Sequence, residues 1–302
     1  MIDYSTNPTK ILNVGNQEIA SFVSAHEDNI DWETVDSFGE EWKKFKSFTE
    51  AEIQRIGDDY FDLMDKHIVN KNTMALDVGC GSGRWARYLA PHVKFIEAVD
   101  PSAAVLSATA HLKDKENVRV SQASVNHIPF ADKSFDLVYS LGVLHHLPDT
   151  QLGIAKCTDK IKPGGWLLLY LYYALDNRGF LYRLAFNIST VFRKIISSFP
   201  SDLKKLVCDI IAATVYLPLA LLSRVLSKVS FLKKLANQIP LAYYRKTSFH
   251  VMRNDALDRF GTPLEKRFTK TEIEAMLKQC GLTKIQFSNN QPYWHVIAQR
   301  PA

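Results

Sequence analysis

The 302-residue chain predicts an α/β fold built on a doubly wound, mostly parallel sheet. Between about residues 72 and 173, short apolar runs alternate with helical patterns, as expected where strands are joined by helical crossovers. The first of these runs ends in a glycine-rich turn that opens into a helix. Acidic and small polar residues then recur where successive strands should end.

The first strand is MALDVGC, residues 74–80, leading into GCGSGR. Gly79, Gly81 and Gly83 remove side chains, so a ligand can approach the backbone closely. The spacing Gly79-x-Gly81-x-Gly83 differs from the G-x-G-x-x-G dinucleotide fingerprint. A second strand, FIEAVDPS, ends in Asp100 and Pro101, and an acid at that position suits the hydroxyls of a ribose. VRVSQAS is a third strand, ending at Ser124 and Val125. FDLVYSL is a fourth, ending at Leu141 before the loop that holds His145 and His146. After the punctuation IKPGG, WLLLYLYY is a fifth. Ligands of such sheets lie outside the carboxyl ends of the strands, where all these residues fall.

LDVGCGSGRWARYLA, AVDPS, HIPFADKSFDLVYSLGVLHHLPD and IKPGGWLLLY, in that order, resemble the motifs of class I S-adenosylmethionine-dependent methyltransferases. They are most similar to the quinone-biosynthesis type. The resemblance covers about residues 74–173. It implies a Rossmann-like sheet of about seven strands with a C-terminal antiparallel hairpin, for which TKIQFS and YWHVIAQR are the two strands. It also implies S-adenosylmethionine as cofactor. Asp77, Gly79, Cys80, Gly81 and Gly83 would hold the methionine end, Asp100 and Pro101 the ribose, Ser124 and Val125 the adenine edge, and Leu141 the floor. Many relatives carry an acid where Ser124 stands; a hydroxyl accepts the same bond more weakly.

Methyl transfer from a sulfonium needs alignment above all, and a base only where the acceptor carries a proton. His145 and His146 are the candidates for that base. No Asp/Asn-Pro-Pro-aromatic tetrad follows the fourth strand, which argues against methylation of DNA bases. The histidines lack further ligands at suitable spacing, so no metal is expected.

Four segments follow: an N-terminal helical lid (1–70), the cofactor-binding core (71–175), a basic apolar helical insertion after strand five (176–250), and the C-terminal helix and hairpin (251–302). In the first, Phe38, Trp42, Phe45 and Phe48 share one helix face, with Ser37 and Glu40 at capping-box spacing. Phe38, Trp42, Tyr243, Tyr244, Tyr293 and Trp294 are candidates to line an acceptor pocket. In the C-terminal part, Thr269 or Thr271 should cap a helix that Gly281 ends.

Residues 178–250 of the insertion carry twelve Lys and Arg (178, 183, 193, 194, 204, 205, 224, 228, 233, 234, 245 and 246) against Asp202 and Asp209, a net +10. The rest of the chain carries 5 − 10 = −5. Leu181, Leu184, Ala185, Ile188, Val191, Phe192 and Ile195 form one apolar stripe, and Val225, Leu226, Val229, Leu232 and Leu235 another. Residues 210–222 are apolar but fall short of the ~20 that a spanning helix needs, with Asp209 at one end and a bend expected at Pro218. Two readings stand: a cap with its stripes inward and lysines outward, and an interfacial hairpin that meets anionic headgroups through 178–246. Nucleic acid is not expected, because the apolar stripes exceed what phosphate binding requires.

These residues describe an enzyme that methylates a hydroxyl or carbon of an apolar or amphiphilic small-molecule or lipid-linked acceptor. Methylation of RNA or protein, or a non-catalytic cofactor-binding or membrane-docking role, are the alternatives. The scattered cysteines and the absence of an apolar leader after MIDYSTNPTK fit the cytoplasm, with a peripheral place at the membrane face.

Overall fold

The computed structural model describes residues 1–302 except 16, 25–26, 45–48 and 178, and except the side chains of 40–44, 181 and 185. Contacts divide the chain into two units, Met1–Asp176 with Leu264–Ala302, and Asn177–Pro263.

The first unit holds one nine-stranded sheet in the order β1-β2-β5-β4-β3-β6-β7-β9-β8. The strands are β1 (Lys10–Val14), β2 (Gln17–Ser21), β3 (Met74–Val78), β4 (Phe95–Asp100), β5 (Val118–Gln122), β6 (Phe135–Leu141), β7 (Ile161–Tyr170), β8 (Thr283–Phe287) and β9 (His295–Gln299). Strands β5, β4, β3, β6 and β7 are parallel neighbours, and β9 runs antiparallel to both β7 and β8. The order reverses at β3, so the glycine loop after β3 sits at the topological switch point.

Alternation along the strands feeds two cores. Leu76, Val78, Val138, Leu167 and Leu169 face one layer, packing with Ile154 of α5 (Thr150–Lys160) and with Ile273 and Leu277 of α11 (Lys270–Gln279). Ala75, Leu137, Tyr139 and Leu168 face the other, packing with Trp85, Ala86 and Leu89 of α3 (Arg84–Leu89) and Ala108 of α4 (Ala104–His111). Helix α11 starts at Thr269, whose side chain and Glu272 form a reciprocal capping box, and Gly281 follows its end at φ +74°.

The N-terminal segment is not purely helical. Residues 10–21 form an antiparallel hairpin, and β2 extends the sheet by pairing parallel with β5. The strands are too short and polar to show a period; what holds them is the β5 edge, through Phe22 N donating to Gln122 O (2.7 Å) and Ser21 Oγ to Gln122 Oε1 (2.8 Å). Of the aromatic stripe, Phe38 and Trp42 lie in α1 (Trp32–Lys44) and Phe45 and Phe48 lie outside the described residues; a second helix, α2 (Glu50–Tyr60), follows. Ser37 lies inside α1. The capping oxygen there is Asp31 Oδ1, which accepts from Thr34 N, and a capping box forms instead at Thr49 and Glu52.

The second unit is helical throughout: α6 (Phe180–Ser197), α7 (Ser201–Ile211), α8 (Leu217–Ser227), α9 (Lys233–Gln238) and α10 (Phe249–Gly261), with short 3₁₀ turns between. Two expectations are overturned. First, Pro218 does not break the apolar stretch: a π turn at Ala212–Tyr216 joins α7 to α8, and a continuous helix runs from Ser201 to Ser227. Proline lacks a donor and crowds the carbonyl four residues back, and the wider turn just upstream accommodates both defects. The 27-residue helix is long and apolar enough to cross a membrane. Second, the stripe on α6 points outward. Leu184, Ile188, Val191, Phe192 and Ile195 are exposed, while Arg193 is buried.

Candidate active site

The site is assembled at the carboxyl ends of β3 to β7. After β3, the chain turns through Gly79, Gly81 and Gly83 at φ +81°, +52° and +78°. A Cβ on Gly79 would come within 2.4 Å of Val143 Cγ2, so both the left-handed backbone and the close approach of the β6 loop require glycine there. Gly79 N and Cys80 N both donate to Val99 O, which fastens the turn to β4.

Asp77 lies within β3, completely buried; the buried Tyr139 hydroxyl stands beside its carboxylate, outside good hydrogen-bond geometry. Burial drives its pKa well above the ordinary carboxylate range; nearby Tyr139 and Arg84 oppose this, and Asp100 adds to it. With only the Tyr139 hydroxyl beside it, this buried carboxylate next to the glycine loop keeps acceptor sites for a cationic or donor group.

Asp100, at the end of β4, is held from three sides. Oδ1 accepts from Ser102 N (2.9 Å) and Ser102 Oγ (2.6 Å), and Oδ2 accepts from Gly81 N (2.9 Å). Burial raises its pKa against the pull of these bonds. Of about four acceptor sites on a carboxylate, one on Oδ2 remains. Pro101 follows directly, and its carbonyl accepts from Gln122 Nε2 (3.1 Å).

Ser124 and Val125, after β5, are both buried. Ser124 Oγ donates to the buried carboxylate of Glu27 and accepts from His127 N (3.3 Å). Glu27 is further held by Ser24 N (2.9 Å) and by His127 Nδ1 (3.0 Å). Nothing in the local sequence announces Glu27; only the fold carries this acid from the N-terminal segment to Ser124.

After β6, Leu141 is buried and the two histidines separate in role. His145 is fully buried, stacks on Tyr172 at 3.8 Å, and has no hydrogen bond at either ring nitrogen. Burial, with His146 and Arg267 nearby, pushes its pKa well below the ordinary histidine value. His146 Nδ1 donates to Leu264 O (2.6 Å), so in the neutral ring Nε2 carries the lone pair. Phe38 of α1 meets the His146 ring edge-on at 4.9 Å. One residue on, Gly39 lies against Ser102 and Ala103, so α1 crosses from the end of β4 to the end of β6. The Trp42 side chain is outside the described residues.

Tyr170 and Tyr172, at the end of β7, extend this aromatic wall, and Tyr60 of α2 meets Tyr170 edge-on at 5.2 Å. The run LYLYY signals them in sequence. Trp294 is buried, its indole donating to Asp176 Oδ1 (2.8 Å), and packs on Tyr293 and Tyr173. Tyr243 and Tyr244 belong to the second unit, where Tyr244 packs on Tyr216. Among the described residues, no cluster of three His, Cys, Asp or Glu is placed to hold a metal.

A family model described as a methyltransferase domain matches residues 76–169, from β3 to β7. The tRNA U34 carboxymethyltransferase of Nautilia profundicola is 34% identical over 112 residues, covering 36% of this chain and 37% of that protein. The ubiquinone biosynthesis O-methyltransferase of Coxiella burnetii is 30% identical over 119 residues, covering 39% and 49%. The chain thus spans less than half the length of these two relatives. Human N-acetylserotonin methyltransferase, solved in complex with S-adenosylmethionine, shares the fold at a TM-score of 0.51 and 15% identity, covering 88% of this chain and 57% of that one. Residues 76–169 thus carry a methyltransferase domain, and the sheet around them has the fold of an S-adenosylmethionine-binding methyltransferase.

Proposed function

We propose that the protein transfers a methyl group from S-adenosylmethionine to a hydroxyl or carbon of an apolar or amphiphilic small molecule, including a lipid-linked one. The observation that carries this reading is the buried carboxylate of Asp77 beside the glycine loop, whose remaining acceptor sites suit the ammonium of the methionine end. Asp100, with one acceptor site left and Pro101 behind it, takes a ribose hydroxyl. The hydroxyl of Ser124 has given its only proton to Glu27, so it meets the adenine amino group as an acceptor, with Val125 against the ring. Gly79, Cys80, Gly81 and Gly83 shape the loop, and Leu141 underlies it. When bound, the cofactor supplies an electrophilic methyl on sulfur.

His146 Nε2 is the nitrogen with a lone pair for an acceptor proton, and His145 packs behind it. Phe38, Tyr170 and Tyr172 form an aromatic wall around the two histidines, which supports an apolar acceptor. The O-methyltransferase named among the relatives supports oxygen as the accepting atom. The four cysteines form no disulfide among the described residues, which suits a reducing cytoplasm.

The test uses S-adenosylmethionine labelled on its methyl group, incubated with the full chain and separately with a total lipid extract, total RNA and total protein. Label entering the lipid extract, and lost in Asp77→Asn, is the expected result. Label entering only RNA or protein would overturn the acceptor class, and failure of S-adenosylhomocysteine to bind at high micromolar concentration would overturn the enzyme reading itself.

A further inference from the structure

We propose that the helical unit Asn177–Pro263 seats on an anionic lipid bilayer, with its outward apolar side chains in the interfacial layer and its lysines and arginines at the headgroups. The proposal concerns this unit alone and does not depend on the methyl-transfer reading.

The unit has an apolar core of its own, around Cys208, Ala212, Tyr216, Ala220, Met252 and Ala256, and a further apolar face left outside it. On α6, Phe180 (70% exposed), Leu184, Ile188, Val191, Phe192 (57%) and Ile195 share one outward face. The opposite face is where the polar groups are. Arg193 (6%) donates through Nη1 to the carbonyls of Thr262 and Pro263, and Arg259 of α10 reaches the hydroxyls of Ser189 and Thr190. The long helix repeats the pattern. Lys204 and Ser223 are buried, Ser223 Oγ donates to Ala236 O, and Asp209 is paired with Arg253 at 2.6 Å. Leu203, Leu206, Ile210, Leu221, Leu222 and Val225 are exposed, and only 28% of its most apolar 18-residue window is buried. A core already filled, polar groups hydrogen-bonded inward, and bare aliphatic groups outside is an arrangement that favours lipid over water as the outer solvent.

The scale and the charge select the occupant. Of twenty exposed large apolar side chains among the described residues, seventeen lie in this unit, so they are not scattered singly as on an ordinary surface. Protein interfaces are depleted in lysine, whereas here Lys194, Lys228, Lys233, Lys234 and Lys246 are exposed on the unit that bears the apolar face. The segment's +10 against −5 elsewhere complements an anionic surface. Phe231, 84% exposed between α8 and α9 and two residues before Lys233, puts an aromatic wedge next to a basic pair.

Flotation of the full chain with phosphatidylcholine vesicles, and with vesicles containing one third phosphatidylglycerol, tests this. Binding to the anionic vesicles should be at least tenfold tighter and should weaken as salt is raised. The double substitution Ile188→Glu, Phe192→Glu should abolish flotation, and Lys233→Glu, Lys234→Glu should weaken it at least tenfold. Both variants should bind S-adenosylhomocysteine like the parent, which shows that the sheet remains folded. No flotation on either vesicle would overturn the proposal. So would a self-associated species in light scattering that the Ile188 and Phe192 substitutions return to monomer without any vesicle binding by the parent. Equal binding to neutral and anionic vesicles would overturn the role of the lysines.

Discussion

Asp77 shows how one buried group couples stability to ligand binding. Its native pKa is raised, so the native state keeps its proton longer than the unfolded chain does. That contribution to stability is fully present below the unfolded value of about 3.9 and is lost as pH rises through the native value. Asp77→Asn should therefore melt higher than the parent above that window and at a similar temperature below it, as calorimetric melts across pH would show. The same substitution should weaken S-adenosylhomocysteine binding by roughly 10- to 100-fold, the scale of one charge-assisted hydrogen bond. Ser124→Ala and Glu27→Gln should each weaken it by roughly 3- to 10-fold, the scale of one ordinary hydrogen bond, because each disturbs the same acceptor. Equal affinity in Glu27→Gln would show that Glu27 only fixes the N-terminal segment. His146→Gln should lower the transfer rate by roughly 10²- to 10⁴-fold while leaving cofactor affinity unchanged, whereas His145, with no polar contact, should tolerate an apolar ring in its place. Aspartates, glycines and histidines were all legible in the sequence. Glu27 was not, because its partner is 97 positions away and no local pattern joins them.

At the scale of elements, the glycine turn after β3 is the most constrained. Gly79→Ala would place a methyl against Val143 at a left-handed φ, and should destabilise the protein by roughly 1–3 kcal/mol in urea unfolding. The five parallel strands and α11 follow from local signals: apolar runs, a capping box, a glycine stop. The β1–β2 hairpin does not, because its pairing energy comes from an edge contributed by β5. The long helix of the second unit shows the converse. Its proline is a local break signal, and a π turn a few residues earlier absorbs it.

For the whole molecule, the charge divides with the fold: a +10 helical segment and a −5 remainder. A ligand that binds the sheet unit should protect it selectively. With S-adenosylhomocysteine at about 100 times its Kd, hydrogen exchange across residues 74–170 should slow by up to about 100-fold, equivalent to about 2.7 kcal/mol, while residues 180–240 exchange as before. Equal protection across both units would show that the chain opens as one cooperative body.

The sequence by itself determined the five strands of the parallel core, the glycine loop after the first of them, the acid that ends the second, and the partition of charge. Each is a local pattern or a count, and the period of two or 3.6 residues is enough to write it down. Tertiary structure decided which way each apolar stripe faces. The stripe on α6 satisfies the helical repeat equally well turned inward or outward, and only the polar groups packed behind it, Arg193 against the carbonyls of Thr262 and Pro263, fix it facing out. The same holds for Glu27 and Ser124, and for His146 and Leu264: contact over long sequence separation is set by the fold as a whole, and it is there that the site acquires its chemistry.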